Sequence, residues 1–142
     1  MARIETTIMI DVPVEKVFEF THPKNLPEIW PSLVEVKNVK DLASGGYSWD
    51  WVYKMAGMRF EGTSTHTEFV ANERTVSEST GGIESTITWL FQPEGNRTKM
   101  TSVTDYKVPA TLLGKLAENF IIRFNENESQ TVLANLKARL EG

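Results

Sequence analysis

The chain has 142 residues, of which 40% are hydrophobic and 24% charged, and its formal net charge is -4 at pH 7. This length and balance are typical of one folded domain, so we expect a single domain over residues 1–142 and exclude disorder, collagen and coiled coil. An acidic chain is a poor nucleic-acid binder, because phosphate contacts need basic side chains. The absence of cysteine from the sequence excludes disulfides, thiolate metal sites and cysteine nucleophiles.

The N-terminal residues do not resemble a signal peptide, because polar and apolar residues alternate and Glu5 and Asp11 interrupt the apolar ones. No stretch approaches the roughly 20 apolar residues that a membrane-spanning helix needs. We therefore expect a cytoplasmic protein without membrane insertion. The sequence is compatible with either a monomer or a homodimer.

The first elements are a strand and a pair of short helices. Residues 3–12 alternate between polar and apolar side chains, which is typical of a half-buried strand. Apolar residues then recur at helical spacing over 14–21, and His22-Pro23 ends this helix, since the residue before a proline avoids the helical region. Residues 23–31 have prolines at both ends and in the middle, so they allow only one further short helix.

The rest of the chain predicts a meander of strands followed by one long helix. Between residues 33 and 108, short apolar runs alternate with turn sequences, which is typical of about six antiparallel strands. From residue 113 to 140, apolar residues recur at spacings of three and four, as in an amphipathic helix. The predicted inward stripe of this helix is Leu113, Leu116, Ala117, Phe120 and Phe124, and it resumes at Leu133, Leu136 and Leu140. This order predicts an α+β architecture in which helices cover one face of the sheet.

The chain also resembles a known superfamily. The stretch DVPVEKVFEFTHPKNLPEIWPSLVEVKNV resembles the opening of the START-like group of polyketide cyclases, dehydrases and lipid-transport proteins. Residues 68–74, followed by Gly81-Gly82, resemble its mid-sheet hairpin, and residues 135–141 resemble its C-terminal helix. The resemblance implies a helix-grip fold: a seven-stranded antiparallel sheet wrapped around a long C-terminal helix, with two short helices after strand 1 and a cavity between sheet and helix. It does not imply one activity, because one fold hosts many functions.

The sequence predicts neither a metal site nor a cofactor. His22 and His66 are the only histidines, and they lie far apart in a chain without cysteine. A zinc site would therefore depend on carboxylates for its remaining ligands. Glycine-rich nucleotide motifs and the Gly-x-Ser-x-Gly nucleophile motif do not occur in the sequence.

Aromatic residues are the main candidates for contacts with a ligand. Period two places Tyr47, Trp49, Trp51 and Tyr53 on one face of a predicted strand, and Trp89 lies on an inward face further along. These side chains either fill a plain core or form the walls of a partly open ligand cavity. In the cavity interpretation the walls are Trp49, Trp51, Trp89, Phe120 and Phe124. Asn127 lies where the helix stripe would continue, unless curvature of the helix turns it into solvent.

Three polar residues, His66, Glu78 and Tyr106, fall on the predicted inward faces. Buried polar groups need partners, so they must pair with one another, with water or with a ligand. In an enzyme, His66 or Glu78 would move a proton next to a carbonyl while Tyr106 donates a hydrogen bond to the oxyanion. Alternatively, His66 is a satisfied core histidine, and a bulge puts Glu78 on the other face.

Three classes of function follow. We expect binding, transport or sequestration of a small hydrophobic or amphipathic ligand in the cavity between sheet and helix. A cyclase or dehydratase-type enzyme with acid–base residues in that cavity is the first alternative, and an interaction module with a closed cavity is the second. An enzyme needs an acid and a base that converge on one site, a binding protein needs an open cavity, and an interaction module needs an exposed apolar patch.

Overall fold

The structure is a computed structural model that describes residues 2–55, 57–107 and 115–142, without the side chains of 115–118. In chain order the elements are β1 (Ala2–Ile10), α1 (Val14–Phe20), a 3-10 turn (Pro23–Asn25), α2 (Leu26–Ile29), β2 (Leu33–Asp41), β3 (Tyr47–Met55), β4 (Met58–Val70), β5 (Arg74–Gly81), β6 (Glu84–Glu94), β7 (Arg97–Lys107) and α3 (Lys115–Glu141). In the predicted helix stripe, Leu113 and the side chains of Leu116 and Ala117 lie outside the described residues.

The strands form one seven-stranded antiparallel sheet in the order β1-β7-β6-β5-β4-β3-β2. Strands β2 to β7 are joined as consecutive hairpins, and β1 pairs with β7 at the far side. Helix α3 packs against β1 and α2. The predicted α+β fold, with its long C-terminal helix and two short helices after strand 1, is confirmed.

Apolar side chains fill one end of the space between the sheet and α3. The fully buried members of this group are Ile10, Val17, Ile29, Met100, Leu133 and Leu136. They come from β1, β7 and all three helices, so this cluster joins every layer of the fold. Burying a side chain of this size stabilises a protein by about 1.5–3 kcal/mol. The filled end therefore holds α3 on the sheet.

Polar contacts fix the C-terminal half of α3 at the same end. Lys137 Nζ donates a hydrogen bond to the backbone oxygen of Met9 at 2.9 Å. Asn135 Nδ2 donates to the backbone oxygen of Ile29, also at 2.9 Å. These bonds tie α3 to β1 and to α2, whose carbonyl groups they satisfy.

An irregularity in β4 changes which side chains face the helix. The pairing register of β4 with β5 shifts between His66 and Glu68. Beyond this bulge the ring of Phe69 contacts the inward-facing ring of His66, at 5.2 Å between centroids, whereas Val70 is 40% exposed. Strict alternation from His66 would place Val70 on the inner face as well, but the extra residue of a bulge reverses the alternation.

Candidate ligand-binding site

A cavity of about 120 Å³ lies between the sheet and α3, away from the filled end. Along β7, for example, Met100 is fully buried and does not line the cavity, whereas Tyr106 does. Apolar cavities of about 150 Å³ in proteins take up benzene. The space therefore suits a group about as large as one aromatic ring.

Aromatic side chains form one wall of the cavity. This wall contains Trp30, Trp49, Trp51, Tyr53 and Trp89, so all four tryptophans of the chain line the cavity. Trp49, Trp51 and Trp89 face inward as the period-two pattern indicated, and each is less than 9% exposed. Trp30 was not predicted to belong here. It ends α2, and the short path from α2 to β2 brings it over the sheet.

A glycine on the neighbouring strand positions Trp51. Gly62 on β4 pairs with Trp51 on β3. A Cβ atom at Gly62 would lie only 2.3 Å from the ring atom Cζ2 of Trp51 and 2.3 Å from the backbone oxygen of Thr80. Because nothing occupies this volume, the indole lies close against the sheet instead of filling the cavity. Gly62 thus preserves the open space.

Hydroxyl groups form a second wall. The strand pairings place Ser64, Ser79, Ser85 and Tyr106 in one row across β4 to β7. We call these four residues the hydroxyl row. All four line the cavity, and the hydroxyls of Ser64 and Ser79 share a hydrogen bond of 2.5 Å. Serine is small as well as polar, so this wall contributes both hydrogen-bonding capacity and volume.

His66 lies beside the hydroxyl row and is neutral at pH 7. Its Nδ1 accepts a hydrogen bond of 2.9 Å from the backbone N–H of Tyr47, so the ring proton resides on Nε2. Burial, with a smaller effect from the charge of His22, lowers the pKa of His66 to about 4. The rings of Trp49 and Phe69 lie 5.1 and 5.2 Å from the imidazole. In this environment His66 is a weak base and a neutral hydrogen-bond donor.

The approach of Tyr47 to His66 depends on Gly46. This residue has a φ of +81°, which favours glycine, and a Cβ there would lie 2.8 Å from Cβ of His66. The turn before β3 can therefore come close enough for the backbone N–H to reach the imidazole. Gly46 is one of two glycines, with Gly62, that shape the site by lacking a side chain.

Glu78 does not lie in the cavity, contrary to the prediction. The residues of β5 that line it are Thr75, Ser77 and Ser79, and Glu78 is exposed on the outer face. Cross-strand partners share a face, and the inward-facing His66 pairs with Ser77. The predicted acid–base pair of His66 and Glu78 is therefore not formed. His66 and Tyr106, the other two candidates, both line the cavity.

The predicted cavity residues of α3 also lie elsewhere. Phe120 is 56% exposed, Asn127 is exposed, and Phe124 packs half-buried at the edge of the core. Asn125, which the sequence analysis did not select, is the described residue of α3 that lines the cavity. Its Nδ2 donates to the backbone oxygen of Ile121 at 3.1 Å, and its Oδ1 accepts from Tyr53 at 3.4 Å.

The error in α3 has a geometric cause. Phe124 and Leu133 are nine residues apart, which is two and a half turns at about 3.6 residues per turn. The two halves of the predicted stripe therefore point to opposite sides of a straight helix. The structure follows the stripe through Leu133 and Leu136, which are fully buried. Continuing that stripe backwards leads to Asn125 and Ile121, and this signal was present in the sequence.

The described lining of this cavity contains no side chain that is ionised at neutral pH, because His66 is neutral. Over residues 2–55, 57–107 and 119–142, no three His, Cys, Asp or Glu side chains form a group that could hold a metal ion. The chemistry available in this cavity is therefore apolar contact and neutral hydrogen bonding.

None of the helices in the described ranges has both the length and the apolar composition that membrane crossing requires.

This arrangement of one curved antiparallel sheet around a C-terminal helix is the helix-grip fold of START-like proteins, and solved structures share it. TTHA0849 from Thermus thermophilus is 22% identical, with a TM-score of 0.76, and the alignment covers 98% of this chain and 97% of that one. Zhui aromatase/cyclase from a Streptomyces species is 15% identical, with a TM-score of 0.84 over 99% and 93%. A START superfamily protein from Mycobacterium smegmatis is 11% identical, with a TM-score of 0.82 over 98% and 97%.

Sequence comparison places the chain within this group more specifically. Residues 1–141 match the family described as polyketide cyclase / dehydrase and lipid transport. The chain belongs to this family. No curated protein matches it. The predicted resemblance to START-like proteins is confirmed, and it supports a ligand-binding or polyketide cyclase-like protein as the general class.

Proposed function

We propose that this protein binds a small apolar or amphipathic ligand, with a body about the size of one aromatic ring, in the cavity between the sheet and α3. The observation that supports this proposal is an unfilled cavity of about 120 Å³ lined by every tryptophan of the chain. Cavities in a protein core reduce its stability by about 24 cal/mol per Å³. A ligand that fills the space would restore the contacts whose absence costs this stability.

The walls suggest how such a ligand is held. An aromatic group buries about 150–250 Å² of surface, which at about 25 cal/mol per Å² is worth roughly 4–6 kcal/mol before the cost of ordering. The aromatic wall supplies this contact. The hydroxyl row and the Nε2 proton of His66 then select and orient the polar atoms of the ligand. We expect micromolar to millimolar affinity for a single-ring compound.

Fluorine NMR and tryptophan fluorescence with para-fluoroacetophenone test the proposal. This probe is neutral and has one ring and one hydrogen-bond acceptor. We expect a saturable fluorine shift together with saturable quenching. Ser77→Leu would fill the cavity from the inner face of β5 and weaken binding by about tenfold or more. Thr80→Leu, on the exposed outer face of the same strand, is the matched control and should bind like the wild type.

Absence of saturable binding in the wild type would contradict the proposed function. Equal loss of binding in Ser77→Leu and Thr80→Leu would also contradict it, because the ligand would then not depend on the cavity.

A cyclase or dehydratase-type activity is the second candidate, and the polar wall favours it. His66 and Tyr106 both line the cavity, and neutral donors of this kind stabilise an oxyanion as it develops. With its pKa near 4, His66 fits the role of donor better than that of base. Exchange of the methyl protons of para-fluoroacetophenone in heavy water distinguishes the two functions. An enzyme should accelerate this exchange and lose the effect in His66→Phe, whereas a binding protein should leave the buffer rate unchanged.

A further inference from the structure

A second, smaller cavity adjoins the first. Its volume is about 40 Å³, and it lies beneath Ile4 of β1 and Val132 of α3. Five residues line both cavities: Trp30, Tyr53, Trp89, Thr104 and Asn125. Because these side chains form a shared wall, a ligand that displaces the Tyr53–Asn125 contact would occupy both spaces. A cavity needs about 10–15 Å³ to hold one water molecule, so the smaller space takes a group of a few heavy atoms.

The smaller cavity contains the one charged side chain among the described residues that line either space. Glu128 of α3 is half-buried, and its Oε1 accepts a hydrogen bond of 2.8 Å from the backbone N–H of Ser32. It belongs to none of the ion pairs formed within the described parts of the chain. Glu128 is also close enough to Tyr53 to raise the pKa of that phenol, although burial has the larger effect.

We propose that the two cavities form one binding space and that Glu128 binds a positively charged amine at one end of the ligand. This inference rests on the proposed function, since the apolar body of the ligand occupies the larger cavity. The half-buried carboxylate of Glu128 has opposite charge to an ammonium group and can accept a hydrogen bond from it. Hydrogen bonds between charged groups are also stronger than those between neutral ones. Thr104 and Ser129 offer further acceptor oxygens within the smaller cavity.

Three matched probes test this inference by fluorine NMR titration. They are para-fluorophenethylamine, para-fluorophenylethanol and para-fluorophenylpropanoate, which share a ring and differ in the charge of the polar end. We expect the amine to bind the wild type about tenfold more tightly than the alcohol, and the carboxylate to bind most weakly. This comparison needs no variant, so it does not depend on whether a substitution folds.

Glu128→Gln then locates the preference. The glutamine oxygen still accepts the bond from Ser32, but the charge is gone. We expect the affinity for the amine to fall to within about twofold of the affinity for the alcohol, and the affinity for the alcohol to stay unchanged. Glu126→Gln, an exposed carboxylate on the same helix, is the control and should keep the preference for the amine.

The outcomes separate this inference from the proposed function. Equal binding of amine and alcohol to the wild type overturns the inference but leaves the ligand-binding function intact. If Glu126→Gln and Glu128→Gln lose the preference for the amine equally, the inference is also overturned, because the preference would then depend on the overall charge of the protein. Failure of all three probes and of para-fluoroacetophenone contradicts the proposed function itself.

Discussion

The middle and the C-terminal part of α3 face very different surroundings. Its C-terminal half carries Leu133 and Leu136, which are fully buried, and it is bonded to β1 and α2. Nearer its start, Asn125 and Glu128 border the two cavities. The same sheet faces both regions: Met100 of β7 is fully buried in the filled core, whereas tryptophans, serines and threonines together line the larger cavity. The filled end thus anchors α3 on the sheet, while the neighbouring region keeps an unfilled space.

Shortening a residue at the filled end should produce the largest loss of stability. We expect Leu136→Ala to lower the free energy of unfolding by about 2–5 kcal/mol, because it removes buried methyl groups and leaves a void. The affinity of the folded variant for para-fluoroacetophenone should not change. Chemical denaturation provides the measurement, with the exposed Gln130→Ala on the same helix as control. Similar losses in both variants would refute the contrast between the two regions.

Adding a methyl group beneath Trp51 should damage both stability and binding. Gly62→Ala would force the indole away from the sheet and into the cavity, so we expect a loss of about 1–3 kcal/mol. Probe binding should weaken at the same time. Gly95→Ala is the control, because its Cβ would meet no atom within 4 Å and only the φ of +64° would be strained. If Gly62→Ala binds the probe normally, the space above Trp51 is not part of the site.

The buried imidazole should make the cavity end sensitive to acid. The pKa of His66 is about 4 in the folded protein, below the ordinary value of 6.5. As pH falls, the unfolded chain therefore binds a proton before the folded one does. The stabilisation due to neutral His66 is complete above about pH 6.5 and is lost as pH falls towards 4. We expect the difference in unfolding free energy between wild type and His66→Gln to shrink over this range, whereas a constant difference would show that His66 is not desolvated.

Substitutions at two predicted site residues that lie outside the cavity should have the smallest effects. Glu78→Gln and Phe120→Ala should each change the free energy of unfolding by no more than about 0.5 kcal/mol, because both side chains are exposed. Neither should alter probe binding. A loss of binding in either variant would show that the residue contributes to the binding site, and the ligand would then have to bind outside the cavity described above.

The sequence predicted correctly those parts of the fold in which several apolar residues recur on the same face of an element. The aromatic run of β3 is such a case, since Trp49, Trp51 and Tyr53 leave no doubt about the inner face. In β5 the only large apolar residue is Val76, so alternation alone chose the wrong face and placed Glu78 inside. The correct face consists of Thr75, Ser77 and Ser79, and it is determined by pairing with β4, which a single strand does not reveal.

The site was harder to predict than the fold for a physical reason. A ligand cavity forms where hydrophobic patterning is interrupted, by Gly62, by serines or by a polar residue such as Asn125 in the stripe of a helix. Pattern-based reasoning follows apolar residues and passes over these positions. In α3 it therefore favoured Phe120 and Phe124, whose size made them look like walls, over the smaller Asn125.

The hydroxyl row gives the cavity a wall whose polarity is not fixed. A serine hydroxyl rotates about its C–O bond and presents either a proton or a lone pair to a neighbour. The hydroxyls of Ser64 and Ser79 already form one hydrogen bond in which either oxygen can be the donor, so turning one hydroxyl can turn the other. A ligand carbonyl and a ligand hydroxyl can therefore be received at the same place by moving protons alone, while the backbone and the heavy atoms of the wall stay where they are.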